Sequence, residues 1–578
     1  MHDLVIRNGR VVDGAETPAF TADIAIDNGR ITAIGKITQS GRREIDAAGL
    51  IVTPGWVDIH THYDGQVTWD PYLSPSSWHG VTTVVMGNCG VGFAPVKPDR
   101  HDWLIALMEG VEDIPGSALT EGITWNWETF PEYLDSLEAQ KRVIDVATQV
   151  PHGAVRAYVM GERGARNEPA NEADIAEMSR IVGEGMAAGA LGFSTSRTVL
   201  HVAKDGVPVP GSFANADELL GIGRAVGASG HGVFELASDM APAENEFKWM
   251  QALSAGTGVH VTYNLLQSPI KPDNWRNLLS LTDAARAEGA QITAQIACRP
   301  TGMVLGWQST VHPFMGRQSY RDIAALPFDA RLKLLRDPAV RARILAEPSM
   351  PMGVLGMILT QGFDRMFRLE RDGRLDYEPR AEDSIAALAA SSGRVPAEIV
   401  YDMLMENDGR GYIYLPLLNY AEFNFEHIYA MMKHPHTVLS LSDGGAHCGV
   451  ICDASFPTYM LTHWVRDRAR GARLGLEKVV SMQTRDTARL YGLNDRGTLA
   501  PGMKADLNLI DYENLAILAP EMVFDLPAQG RRLIQRARGY VATIVSGAVI
   551  FENGVATGEM PGKLIRGPQR AAMAVAAE

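Results

Sequence analysis

The middle of the chain alternates strand-like and helix-like runs, and few folds can accommodate that order. Eight runs rich in β-branched and apolar residues each end near polar or glycine positions: GWVDIHTH, GVTTVVMGNC, AVRAYVMGERG, GALGFSTSR, HGVFELASD, GVHVTYN, AQITAQIAC and TVLSLSD. Helical patterns such as ADIAEMSRIVGEGMAAG and NWRNLLSLTDAARAEG lie between several of them. Eight strands alternating with helices make an α/β chain closed into a (β/α)8 barrel the economical architecture. A doubly wound open sheet is the competitor, and the chain lacks its Gly-rich phosphate fingerprint.

The two ends have a different texture. Residues 1 to about 55 read as short strands with tight turns, and the paired NG dipeptides read as hairpin signals. GTLAPGMKADLNLID and YVATIVSGAVIFENGVATG repeat that texture near the C-terminus. A chain of 578 residues exceeds what one core usually serves. The expected division is therefore 1–55 and 496–578 as two parts of one small β-sandwich, flanking a barrel over 56–495. Between the seventh and eighth strands lies an insertion of about residues 300 to 430, whose stretches AEDSIAALAASSG and PAEIVYDMLMEND look helical. A segment that long after a barrel strand overhangs the C-terminal mouth, as a lid or substrate-shaping element would. The Ala-rich end, AAMAVAAE, reads as a frayed tail.

Hydrophobic content of 46% with 21% charged residues is ordinary for a soluble globular protein, and no long apolar run suggests a membrane span. The start, MHDLVIRNGRVVDG, reads as a strand and turn rather than a signal peptide, so a cytoplasmic protein is expected. A formal net charge of -15 argues against nucleic acid or an anionic membrane as partner, because polyanions need clustered cations. A small-molecule substrate remains, and a homo-oligomer stays open. Four cysteines, Cys89, Cys298, Cys448 and Cys452, are too few for a disulfide scaffold. The CGVIC pair, Cys448 and Cys452, reads as reduced packing thiols.

The chemistry starts with GWVDIHTHYDG. On a strand, His60 and His62 project from one face, and two neutral imidazoles make half a metal site. Residues at the C-terminal ends of barrel strands converge. His60 and His62 end the first strand, Cys89 in GNCG ends the second, and Asp443 in SLSDGGAH ends the eighth. Strands one, two and eight are neighbours around the ring. These four side chains can meet at one ion, with nitrogen, thiolate and carboxylate donors suited to Zn2+.

With those motifs in hand, the chain resembles the amidohydrolase superfamily, and more closely the N-acyl-D-amino-acid deacylase (D-aminoacylase) family. The resemblance rests on VVDGAETPAFTADIAIDNGRITAIG, DIHTHYD, GVTTVVMGNCGVGFAPV, SDGGAH and GTLAPGMKADLNLID, and covers nearly the whole chain. It implies that His60, His62 and Cys89 bind zinc and that Asp443 is a metal-linked general base. The ion would lower the pKa of a bound water, and hydroxide would attack an amide carbonyl.

Members of that family also end strands five and six with histidines. Here those strands read HGVFELASD and GVHVTYNLLQ. His231 precedes its strand, and His260 lies four residues before Asn264, about 13 Å below the mouth at roughly 3.3 Å per residue. The tight site is thus expected to be lost or rebuilt; a single ion held by His60, His62 and Asp443, with Cys89 as an optional further ligand, is the preferred arrangement, two ions are the alternative, and with the second ion lost either another donor compensates or activity is low. Glu235 and Asn264 on strands five and six, and His447 near Asp443, are candidates to contact the metal or substrate. Arg197 and Arg299, at the ends of strands four and seven, are candidates for a substrate carboxylate. The leading expectation is hydrolysis of a linear amide, an N-acyl amino acid or related acylated amine. A hydrolase of a cyclic amide, lactone or amidine, and a metal-poor barrel that only binds ligands, are the rivals.

Overall fold

The computed structural model describes residues 1–371 and 373–570; the AAMAVAAE tail lies outside the described residues. Its centre is a ring of parallel strands: Trp56–Asp58, Val81–Met86, Asp145–Thr148 continuing into Val150–Pro151, Gly192–Arg197, Val233–Ser238, His260–Leu265, Ile292–Ile296 and Thr437–Leu439. Each pairs in parallel with the next. The ring closes where Thr61 bridges Gly444 in parallel, with His62 N–H donating to the Gly444 carbonyl at 2.8 Å and Asp443 N–H to the His60 carbonyl at 3.1 Å. The chain is a TIM-type barrel with a smaller β-rich unit.

One expected strand is a helix. AVRAYVMGERG falls largely in the helix His152–Met160, and the third barrel strand lies just before it, in DVATQVP. Val155 and Val159 are four residues apart, on one helical face, and Ala154, Arg156, Ala157 and Met160 between and around them are good helix formers. The paired NG signals also divide. Asn28 and Gly29 turn the hairpin between Phe20–Asp27 and Arg30–Gly35. Asn8 and Gly9 instead sit inside the strand His2–Val11 as a bulge, where Asn8 takes a φ of 58° and a Cβ on Gly9 would come within 2.5 Å of the Val52 side chain.

Strands from both ends share one sheet, because Ile51–Pro54 pairs antiparallel with Leu507–Ile510 and in parallel with His2–Val11. Leu4, Ile6, Ile24, Val52, Leu507 and Ile544 form its core. Arg496 ties this end of the chain to the barrel, its Nη1 donating to Asp145 Oδ2 at 2.7 Å and to Thr83 Oγ1 at 2.8 Å. Between the seventh and eighth barrel strands, residues 302–416 fold around a separate cluster that includes Trp307, Phe314, Tyr320, Leu359 and Tyr401. Both stretches read as helical there are helices, Ile385–Ser392 and Pro396–Gly409. No helix of the described residues is long and apolar enough to cross a membrane.

Candidate active site

The barrel opens at the C-terminal ends of its strands, and His60, His62 and Cys89 meet there, all buried, with one ligand atom of each within 4.8 Å of the others. The first strand ends at Asp58 and the chain bends at His60, but the Thr61 bridge to Gly444 keeps the two imidazoles together, their ring centroids 5.4 Å apart. His60 Nε2 lies 3.2 Å from Cys89 Sγ. Asp443 stands beside the two imidazoles, with Oδ1 at 3.6 Å from both His60 Nε2 and His62 Nε2, and outside the three-donor cluster itself. Donors arranged tetrahedrally about a zinc ion with bonds of ~2.0–2.3 Å would stand ~3.3–3.8 Å apart. The donor chemistry and spacing fit such an ion.

The backbone is distorted to deliver these groups. Cys89, Asp443 and His447 adopt φ of 55°, 49° and 50°. Non-glycine residues in that region cost on the order of 1–3 kcal/mol each and collect at functional sites. Gly90 makes the turn after Cys89 possible, because a Cβ there would meet the Ser196 backbone nitrogen at 2.6 Å.

A surrounding layer aims the donors. His60 Nδ1 lies 3.0 Å from Gln295 Oε1, and His62 Nδ1 lies 3.3 Å from Glu112 Oε1, an ion-pair distance without hydrogen-bond alignment. Glu112 ends the helix His101–Glu112 and also lies near His447, whose Nε2 is 3.7 Å from Glu112 Oε2. Asp58 accepts from the Ser442 hydroxyl, which fastens the first strand to the segment carrying Asp443. Gln295, Glu112 and His201 were not singled out from the sequence. The second glutamine of AQITAQIAC, between Ala294 and Ile296, was a usable signal for Gln295; Glu112, on a helix between two strands, offered none.

Burial and charge oppose one another across the cavity. Burial lowers His60 to about 4. Burial also acts downward on His62, but Glu112 and Asp443 outweigh it and raise that imidazole to about 9. Burial, then the Glu235 and Glu112 carboxylates, push the Cys89 thiol well above its ordinary value. Asp443 is held far below the carboxylate range, because His62 and His60 overcome its burial. A divalent cation among these groups would reverse the thiol's preference and favour thiolate.

Strands five and six bring Glu235 and Asn264 to the Cys89 side of the cavity. Glu235 Oε2 accepts from the Cys89 N–H at 2.9 Å, and the Asn264 amide lies against the sulfur. Glu235 Oε1 and Asn264 Oδ1 are buried without a hydrogen-bond partner. Burial raises the Glu235 carboxyl to about 8. His260 begins its strand and binds Thr293 at 2.7 Å, while His231 turns onto the Ser229 carbonyl, so both are structural.

Both arginine candidates are engaged by internal carboxylates, and only Arg299 Nη1 is left buried without a partner. Arg197 grips Glu246 through Nε at 2.7 Å and Nη2 at 2.6 Å, and its Nη1 donates to the Ala214 carbonyl. Arg299 is fully buried, donates to Asp453 at 2.8 Å and lies 3.9 Å above the Tyr377 ring. Each strand end places its guanidinium beside an internal carboxylate, and desolvation demands that pairing. Cys298, Cys448 and Cys452 are buried free thiols.

Residues 43–551 match the model of a family described as Amidohydrolase family. D-aminoacylase of Alcaligenes xylosoxydans xylosoxydans is 26% identical over 570 residues, covering 97% of each chain. N-acyl-D-glutamate deacylase of the same organism is 27% identical over 588 residues, covering 98% of this chain and 96% of that one. Among solved structures, N-acyl-D-glutamate deacylase from Bordetella Bronchiseptica, complexed with zinc and a phosphonate inhibitor, aligns with a TM-score of 0.64 at 24% identity, over 98% of this chain and 99% of that one.

Proposed function

The chain belongs to the amidohydrolase family, and on that premise we propose that it is a metal-dependent hydrolase of a linear amide, deacylating an N-acyl amino acid or related acylated amine. The observation that carries this reading is the convergence of His60, His62, Cys89 and Asp443 from the first, second and last barrel strands. Relatives named for N-acyl-D-amino-acid deacylation align from end to end, which supports a linear amide and a D-configured amine over a cyclic amide, lactone or amidine. The retained donors speak against a barrel that merely binds ligands.

His60, His62 and Cys89, the three donors that cluster, would hold one Zn2+, with Asp443 beside it. When bound, such an ion lowers the pKa of a water and polarises a carbonyl. Asp443, kept ionised by its imidazole neighbours, accepts the water's proton and returns it to the departing nitrogen. Glu112 and Gln295 hold the imidazoles in register.

The finer architecture belongs to the same proposal: residues 1–55 and 496–578 as one sandwich, 56–495 as the barrel, and the insertion of about 300–430 as a lid. Val354 and Met357 are exposed on the insertion helix Gly353–Gln361, and Val199 and Leu200 on the loop after the fourth strand, apolar side chains of the kind that would meet an acyl chain. Four free thiols support a reducing, cytoplasmic setting.

The test pairs elemental analysis of metal per chain with a panel of N-acyl D- and L-amino acids. Bound or restorable zinc with turnover of an N-acyl amino acid is expected. A protein that neither binds nor responds to zinc, and that leaves the whole panel intact, overturns the proposal.

A further inference from the structure

The loop after the fourth barrel strand supplies an imidazole that the mechanism above does not use. His201 lies four residues beyond Arg197, and its ring turns back so that Nδ1 sits 3.1 Å from Ser196 Oγ. Ser196 is fully buried, and among the described residues its hydroxyl has no other hydrogen-bond partner. A buried hydroxyl proton must reach an acceptor, so Ser196 donates and His201 Nδ1 accepts. That assigns the imidazole proton to Nε2.

The loop is held in place from both sides. The Val209 N–H donates to the His201 carbonyl at 3.0 Å, and Asp239 accepts from the Val199 N–H at 2.9 Å and from the Thr198 hydroxyl. The charged and titratable groups within electrostatic reach of the ring are His447, His62, Asp443 and His60. Accepting at Nδ1 from the Ser196 hydroxyl leaves the ring a single N–H donor, at Nε2.

We propose that His201 is a catalytic hydrogen-bond donor, its Nε2–H directed at the carbonyl oxygen of the bound amide. The assignment rests on the amide-hydrolysis reading and supplies an electrophile in addition to the ion. As water adds, its oxygen bonds to the carbonyl carbon, one proton passes to Asp443, and the carbonyl π pair moves onto oxygen. His201 keeps its proton and stabilises that oxyanion. Collapse restores the carbonyl and breaks the C–N bond, and the nitrogen takes the bond pair together with the proton from Asp443. A donor aimed at a developing oxyanion contributes about 10²–10³ in kcat.

The test uses the metal-loaded full chain, with the N-acyl amino acid that wild type hydrolyses and a phosphonate isostere of it. His201→Ala is expected to lower kcat about 10²–10³-fold, with KM and metal per chain unchanged, and to weaken phosphonate binding by a similar factor. His201→Gln, whose amide N–H can occupy part of the same position, is expected to recover about tenfold and keeps the test open should the alanine variant fold poorly. Undiminished kcat in both variants overturns the assignment. So does metal loss in parallel with activity, which would make His201 a ligand instead. A wild-type protein inactive on every N-acyl amino acid fails the reading of the reaction, whereas active wild type with equally active variants fails this assignment alone.

Discussion

Gln295 accepts a hydrogen bond from His60 Nδ1 at 3.0 Å, and that acceptor decides which imidazole nitrogen is free. Its Oε1 also accepts from the Ser440 hydroxyl at 2.7 Å, while its Nε2 donates to Thr262 at 2.9 Å, so the amide cannot turn over without losing both. The proton on His60 is thereby fixed at Nδ1, and the Nε2 lone pair faces Cys89 and Asp443. Gln295→Met should keep the fold and weaken metal affinity about 10–100-fold, read by chelator competition. Unchanged affinity would mean that Gln295 serves packing alone.

Asp443 can be separated from the ligand set by its chemistry. Asp443→Asn keeps a neutral oxygen near both imidazoles and removes the proton acceptor. Turnover should fall by about 10²–10⁴ while most of the metal stays bound. Full activity in that variant, measured alongside metal content, would remove Asp443 from the reaction.

Arg299 gives a stability prediction that contrasts with the substrate role open to it from sequence. Arg299→Met strands Asp453, which is buried and relies on that guanidinium. Breaking such a pair costs about 3–5 kcal/mol, to be measured by urea unfolding, and KM should not change. A raised KM at wild-type stability would return Arg299 to substrate recognition.

Acid sensitivity should arise at Glu218. Burial works against its ionisation, but donors from His152 at 3.0 Å and Arg156 at 2.8 Å prevail and hold it at about 2, below its ordinary value of 4.5. Because the folded value is the depressed one, this stabilisation is complete above about pH 4.5 and is lost as pH falls towards 2. It amounts to about 3 kcal/mol. Glu218→Gln should flatten the stability profile in that window, and a profile that keeps its wild-type slope would assign the acid limb to other groups.

How much was legible follows from how local each signal is. The imidazole pair, the thiol and Asp443 are read from strand alternation and from the rule that strand ends converge, both properties of a few adjacent residues. Glu112 reaches the cavity from a helix whose course is set by tertiary packing, so no periodicity announces it. The misread third strand marks the same boundary. Valines four residues apart satisfy a helix as well as a strand tally, and only the pairing of DVATQVP with its neighbours decides between them. The arginines failed differently: their position was right, but the carboxylates that engage them, Glu246 and Asp453, come from distant segments.

The seam between Thr61 and Gly444 has a consequence for biosynthesis. A ribosome releases His60, His62 and Cys89 early and Asp443 only after most of the barrel has been made. A nascent chain can therefore offer nitrogen and sulfur to a passing ion well before it can move a proton. Hydrolytic competence arrives in one step, when the last strand docks against the first, so an unfinished or truncated product would sequester metal without consuming substrate.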